Sequence, residues 1–267
     1  MDKVAPASAA ADSQEQVPAF APAIAIRGLK KSFGSHAVLQ GIDLAVPRGT
    51  TTVILGGSGS GKSVLMKHMI GLLKPDEGEV LIDGEDIVPL TGRALDQVRH
   101  KFGMVFQSSA LFDSMTVGEN VAFPLKEHTR LKRGDIFERV AQKLALVGLP
   151  GIEARMPAEL SGGMRKRVGL ARAVVLEPQI VLYDEPTTGL DPITTENVNE
   201  MILDAKRELG VTSVVISHDV GSAFKIADQI AFLSGGRIVA HDRPSVFRRS
   251  EHPKVREFLL PWLEKGA

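Results

Sequence analysis

Apolar positions along the chain change their period as the chain proceeds. From Ile24 to Val46 short β-type runs alternate with the turn residues Gly28, Gly34, Gly41 and Asp43. Pro47-Arg48-Gly49-Thr50 then turns the chain into the apolar run Thr51–Leu55. Beyond it the pattern predicts a helix over Val64–Leu72, strands at Val80–Ile82 and Gly103–Phe106, and an amphipathic helix over Ile136–Val147. The stretch from about Ser108 to Arg172 reads as mostly helical. Three further strands, Ile180–Tyr183, Ser213–Ile216 and Ile230–Leu233, are separated by helical patterns. Strands alternating with helices predict a mainly parallel α/β sheet, here with a helical insertion.

Composition narrows the classes that such a chain can join. With 267 residues and 43% hydrophobic side chains, it can bury a large core. Cysteine is absent, which excludes disulfides, thiolate metal sites and thiol nucleophiles. Lys+Arg and Asp+Glu both total 32, so no bulk positive field draws the protein to nucleic acid or anionic lipid. Met1–Pro22, rich in Ala, Pro, Ser and Gln, lacks the basic start and apolar stretch of a secretory signal, and a disordered tail is expected there. No uninterrupted apolar run approaches the roughly 18 residues that a membrane-spanning helix requires. If the protein serves a membrane, another subunit is expected to span it.

Two segments carry chemistry. Gly56-Gly57-Ser58-Gly59-Ser60-Gly61-Lys62-Ser63 fits the phosphate-binding loop pattern, and it lies after a buried strand and before a helix that begins near Val64. Glycines let backbone N–H groups face phosphate oxygens, Lys62 neutralises the β and γ phosphates, and the Ser63 hydroxyl can ligate Mg2+. Ile180–Tyr183 ends in Asp184-Glu185, which would emerge beside that loop if the two strands are neighbours in the sheet. Asp184 would then hold the metal's shell and Glu185 would polarise an attacking water. Taken alone, the pair is equally readable as a solvated acidic turn.

Leu160-Ser161-Gly162-Gly163-Met164, standing before the Asp184-Glu185 strand, resembles the signature of the ATP-binding cassette (ABC) ATPases. Ser161, Gly162 and Gly163 open a helix predicted to run to about Leu176, where free N–H groups and the helix dipole favour an anion. The resemblance implies that this site caps the γ-phosphate of ATP held by a second copy, hence a homodimer. It also implies a P-loop NTPase (RecA-like) core with an antiparallel β subdomain and a helical subdomain. The cassette would span about residues 23–248, with its helical subdomain at about 108–172 and a C-terminal tail at 249–267. Further single residues match the family's order. Gln107 resembles the Gln that senses magnesium and attacking water, and His218 the switch His that contacts the γ-phosphate. Gly189-Leu190-Asp191 is similar to the loop connecting the two sites. Phe33 sits where the family places an aromatic to stack on adenine, although a plain core aromatic is the other reading. Met164 departs from the more usual Gln, which affects a side-chain contact and leaves the backbone anion site intact.

Within the family, the segments Gln107–Val117, Asn120–Leu125 and Leu160–Val168 resemble phospholipid-transport cassettes of the Mla (maintenance of lipid asymmetry) type and related toluene-tolerance and steroid-import cassettes. That resemblance implies a multi-spanning permease, an MCE-domain lipid-binding protein and a small STAS-domain cytosolic protein as partners, at the cytoplasmic face of the inner membrane. Ala110, Leu111 and Phe112 offer either a groove for a permease helix or packing inside the helical subdomain. Arg165-Lys166-Arg167 reads as a solvated helix face rather than a lipid or nucleic-acid patch. Val255, Phe258, Leu259 and Trp262 share helical spacing, with Pro261 limiting the helix, and would dock on another subunit or on their own domain. A polar-solute import cassette is the competing function; a soluble cassette acting on ribosomes or DNA lacks the second cassette or coiled-coil insertion it would need.

Overall fold

The computed structural model describes residues 22–264. The tail expected at 1–22 therefore lies, apart from Pro22, outside the described residues. The chain opens with two long strands, β1 (Ile24–Phe33) and β2 (His36–Val46), paired antiparallel. Only Gly34, at φ 59°, belongs to the turn between them. The expected turns at Gly28, Gly41 and Asp43 are instead register shifts inside continuous strands: Gly28 (φ 56°) and Gly41 (φ 85°) take conformations that side chains resist. Asp43 accepts the Gly28 N–H at 2.8 Å, tying the irregularity together across the ladder.

Next come β3 (Thr51–Leu55), α1 (Lys62–Met69), β4 (Glu77–Ile82), the short β5 (Glu85–Asp86), α2 (Gly92–Arg99) and β6 (Phe102–Val105). Three helices follow in the region expected to be helical: α3 (Val117–His128), α4 (Arg133–Leu146) and α5 (Gly162–Ala173). Residues 108–116 form turns rather than helix. Helix α5 stops at Ala173, short of the expected Leu176, because Glu177 at φ 56° and Pro178 divert the chain toward the next strand. The remaining elements are β7 (Ile180–Asp184), α6 (Pro192–Leu209), β8 (Thr212–Ser217), α7 (Val220–Ile226), β9 (Gln229–Ser234), β10 (Arg237–Asp242), α8 (Pro244–Phe247) and α9 (Pro253–Leu263).

The strands form two sheets, an antiparallel one ordered β2-β1-β4-β5 and a six-stranded one ordered β10-β9-β3-β8-β7-β6. Within the larger sheet only β10 runs antiparallel, closing an edge by a hairpin through Gly235 and Gly236. All residues of β3 and β8 are buried, as strands covered on both faces must be. Alternation of side chains divides the core: Val53, Leu55, Val181, Tyr183 and Val215 face the α3–α7 side, while Ile54, Leu182, Val214 and Ile216 face α1 and the antiparallel sheet.

Helix α9 packs on its own domain. It buries Val255 and Leu259, stacks Trp262 on Phe224 at 4.8 Å and sets Phe258 against Phe232 at 4.8 Å. Pro261 stands in its last turn, two residues before it ends. Among the described residues, no helix is long and apolar enough to cross a membrane.

Candidate functional site

The loop between β3 and α1 is shaped by close approach. A Cβ on Gly56 would meet the Leu233 carbonyl oxygen at 2.5 Å, and Gly61 sits at φ 101° where the loop enters the helix. Lys62, the first residue of α1, is buried and donates from Nζ to the carbonyls of Gly56 (2.8 Å) and Gly57 (3.0 Å). Its ammonium thus lies folded across the loop. Ser60 Oγ is buried without a hydrogen-bond partner among the described residues. A cavity of about 680 Å³ opens over the loop, lined by Gly57 through Val64 together with Gln107, Glu185, Thr188 and His218.

Glu185 lines this cavity and Asp184 lies beside its Ser63 wall, reached by an unexpected route. β7 is not the neighbour of β3, since β8 lies between them. Even so, the Ser63 hydroxyl lies 3.5 Å from Asp184 Oδ1. β8 in turn delivers His218 just past its end, so three parallel strands point their C-terminal ends at one place. Burial and the neighbouring Glu185 carboxylate both push the Asp184 carboxyl above the usual range. Lys67 and Lys62 oppose that shift from nearby, and the oxygens of Asp184 and Ser63 make a donor pair suited to a hard divalent cation completed by phosphate oxygens and water. Among the described residues there is no cluster of three or more His, Cys, Asp or Glu that could hold a metal ion.

Glu185 occupies a left-handed backbone conformation (φ 48°), costly for a residue with a side chain. Several contacts hold it: its N–H donates to Ile216 O at 2.9 Å, and Oε2 lies 2.8 Å from His218 Nδ1. Thr188 Oγ1 donates to the same carboxylate at 3.1 Å, and Lys62 Nζ stands 3.6 Å from Oε1. A carboxylate, an imidazole and an ammonium therefore converge on the cavity where a terminal phosphate and an attacking water would meet.

Ser161 caps α5, its Oγ accepting the Met164 N–H at 3.2 Å, and its first turn presents N–H groups with no partner in the helix. Ser161, Gly162 and Gly163 do not line the cavity. Gly162 instead faces Leu190, and a Cβ on Gly163 would lie 2.8 Å from Thr194 Cγ2 at the start of α6. Asp191 caps α6, accepting Thr194 N–H at 3.0 Å and Thr194 Oγ1 at 2.6 Å, and these bonds hold its carboxyl below the usual range. One chain thus carries the phosphate loop and the signature turn at separate places.

The ABC transporter family model matches residues 39–188, more than half of the chain and the segment bearing the phosphate loop, Gln107, the Ser161–Gly163 turn and the Asp184-Glu185 pair, while Asp191 and His218 lie beyond it. The chain belongs to the ABC transporter family. It is 46% identical over 237 residues to the probable ribonucleotide transport ATP-binding protein of Mycobacterium leprae, covering 89% of this chain and 68% of the relative. It is 44% identical to the intermembrane phospholipid transport system ATP-binding protein of Escherichia coli, over 88% of this chain and 87% of the relative. Among solved structures, a cassette from Clostridium perfringens described as part of an ABC transporter complex superposes with a TM-score of 0.80 at 30% identity, over 91% of this chain and 97% of that one. A dimeric ATP-binding cassette in a post-hydrolysis state, bound to ADP and Pi, superposes at TM-score 0.75 and 31% identity, over 83% of this chain and 98% of that one. This cassette accordingly binds ATP and hydrolyses it in support of transport.

Other expectations fare differently. Phe33 is about half exposed at 49%, excluding the plain core reading, with the Lys31 ammonium 5.7 Å from its ring centre. It does not line the cavity, whereas Val38 of β2 does. Arg165-Lys166-Arg167 is not a solvated face: Arg165 is exposed, Arg167 half-buried, and Lys166 buried with Nζ 2.5 Å from the Pro186 carbonyl. Periodicity could not reveal this, because α5 is enclosed by α3, α4 and α6. Val38, Thr188 and Phe258 also line the cavity without having been singled out for it; Phe258 was readable only as one of the apolar positions of α9.

A second cavity of about 680 Å³ follows Gln107 in the cassette, and Phe106, Ala110, Phe112, Phe123 and Pro124 form much of its wall. Phe112 and Phe123 face each other with ring centres 5.0 Å apart. Ser109 and Ala110, both at positive φ (64° and 44°), are fixed by Arg172, which donates to their carbonyls at 2.8 and 2.7 Å. Ala110 and Phe112 are exposed, whereas Leu111 packs partly into the core.

Proposed function

We propose that this cassette is the ATP-hydrolysing subunit of a transporter that moves phospholipid between the inner and outer membranes of a Gram-negative envelope. The observation that carries the cargo is the 44% identity to the Escherichia coli phospholipid transport subunit along nearly the full length of both chains. In this reading two copies clasp two ATP molecules. Each site joins the phosphate loop of one copy to Ser161–Gly163 of the other, whose open helix turn suits a terminal phosphate. The dimeric relative with ADP and Pi supports the arrangement.

Within each site, Gly56–Gly61 wrap the phosphates, Lys62 leaves its loop carbonyls to pair with the β and γ oxygens, and Val64 continues the cradle into α1. Ser63, Asp184 and Gln107 would hold Mg2+, which when bound neutralises charge on the β and γ oxygens. Glu185 accepts the proton of the attacking water, while His218 orients Glu185 and contacts the γ-phosphate. Phe33 stacks on the adenine, and Asp191 sets the loop through which the two sites touch. Catalysis rests on positioning and charge stabilisation, without a covalent intermediate.

The apolar cavity after Gln107 is where a cytoplasmic helix of a multi-spanning permease would seat, bringing the cassette to the inner face of the inner membrane. An MCE-domain lipid-binding protein and a STAS-domain protein complete the assembly. A second reading, a cassette for a polar solute, draws on the ribonucleotide transport name of the Mycobacterium leprae relative. Tagged protein from detergent-solubilised native membranes separates the two. A permease, an MCE protein and bound phospholipid are expected in the mass spectrum; a nucleotide- or solute-specific receptor in their place would reject the lipid assignment.

A further inference from the structure

Lys166 is the most unusual residue near the site. It lies in the second turn of α5, 5% exposed, and its Nζ donates to the Pro186 carbonyl at 2.5 Å. Burying an ammonium is costly, and an apolar side chain of similar length would pack at that position without the cost. Burial holds the lysine below its usual range, opposed by the nearby Glu185 carboxylate. Pro186 directly follows Glu185, whose left-handed conformation persists only if its surroundings over-determine it.

The same helix begins at the signature turn. Gly162 and Gly163 approach Leu190 and Thr194, so α5, residues 186–191 and the start of α6 form one packed body. The Lys166 bond links α5 to residues 186–191 at the carbonyl of the residue next to Glu185.

We propose that Lys166 is a positioning residue that ties the signature helix to the loop carrying Glu185 in the same subunit. A phosphate seated against Ser161–Gly163 belongs to one site of the dimer, and Glu185 serves the other. Through Lys166, occupation of the first site fixes the base in the second. The inference rests on the two-copy reading given above. A small displacement of Glu185 changes the chemical step more than it changes nucleotide affinity, because the phosphate loop makes the binding contacts.

The test compares Lys166→Met and Lys166→Arg in the full chain. Lys166→Met should lower kcat on the order of tenfold to a hundredfold, a loss typical of misplaced catalytic groups, with KM for ATP within about twofold. Lys166→Arg, which keeps a charged donor, should recover most of the rate. Combined with Glu185→Gln, Lys166→Met should still give an ATP-trapped dimer. If Glu185→Gln alone traps no dimer, the two-copy reading fails, whatever Lys166 does. Wild-type kcat in Lys166→Met, or parallel loss of ATP binding and thermal stability in both variants, would overturn the positioning role. Should Lys166→Met not fold, Lys166→Gln, with a shorter neutral donor, must show the same split between kcat and KM for the proposal to stand.

Discussion

At the scale of single residues, Glu185 and Lys62 share one short stretch of space, and their substitutions should separate binding from chemistry. Glu185→Gln keeps the side-chain volume and the Thr188 hydroxyl contact but cannot accept a proton. It should bind ATP, accumulate as a dimer on size exclusion and lose turnover by about 10²-fold or more, the range for a removed general base. Near-normal hydrolysis would remove Glu185 from that role. Lys62→Ala should instead lose productive nucleotide binding, measured by fluorescent-nucleotide titration. Lys62 bridges two loop carbonyls and approaches Glu185, so its loss also slackens the loop. Much of this was legible in the sequence because a Gly-rich octet between a buried strand and a helix has few other uses. Lys166 was not legible: the same tripeptide on a solvated helix would look identical, and only the enclosure of α5 by its neighbours decides the matter.

Among the elements, helix caps and strand periods explain what sequence patterning could and could not deliver. Thr116 caps α3 in a reciprocal box with Glu119, whose carboxyl accepts the Thr116 N–H at 2.8 Å while Thr116 Oγ1 accepts the Glu119 N–H at 3.2 Å. Thr116→Ala should cost about 1 kcal/mol, read as a lower midpoint in urea denaturation. Apolar runs such as Thr51–Leu55 and Ile180–Tyr183 declared buried strands, but nothing in them encodes sheet order, so the interposition of β8 was invisible. Gly28 and Gly41 looked like turns because local chemistry does not distinguish a turn from a bulge; the long ladder of β1 with β2 does. Helix α9 shows the same dependence on partners. Its apolar spacing was plain, while its resting place on Phe224 and Phe232 comes from the tertiary fold. Leu259, buried at 1% exposure, closes that contact, and Leu259→Ala should lower unfolding free energy by about 2–4 kcal/mol in the same assay.

Across the whole molecule, two cores share one six-stranded sheet, and the groups proposed to act on ATP stand at the ends of its strands. Balanced formal charge leaves stability to depend on particular groups rather than on a net field. His68 on α1 and His241 on β10 are both held below the ordinary histidine value of 6.5, chiefly by burial. The Nε2 atom of each is buried without a partner among the described residues, so a proton there would find no acceptor. An unfolded chain takes up those protons near 6.5, and the folded chain only at lower pH. Stability should therefore decline as pH falls below about 6.5 and level off once the folded-state values are passed. Carboxylates held low by hydrogen bonds, such as Asp76 and Glu119, act in the same direction but below their ordinary values of 3.8 and 4.5. Between about pH 5 and 6.5 the histidines therefore lower stability, while Asp184, whose carboxyl is held above the usual range, acts the other way in the wild type and in a variant lacking both histidines alike, so the difference between the two reports the histidines. Urea midpoints should fall across that window in the wild-type chain, and the slope should flatten when His68 and His241 are both replaced by Asn. An unchanged slope in the double variant would place the proton uptake on other groups.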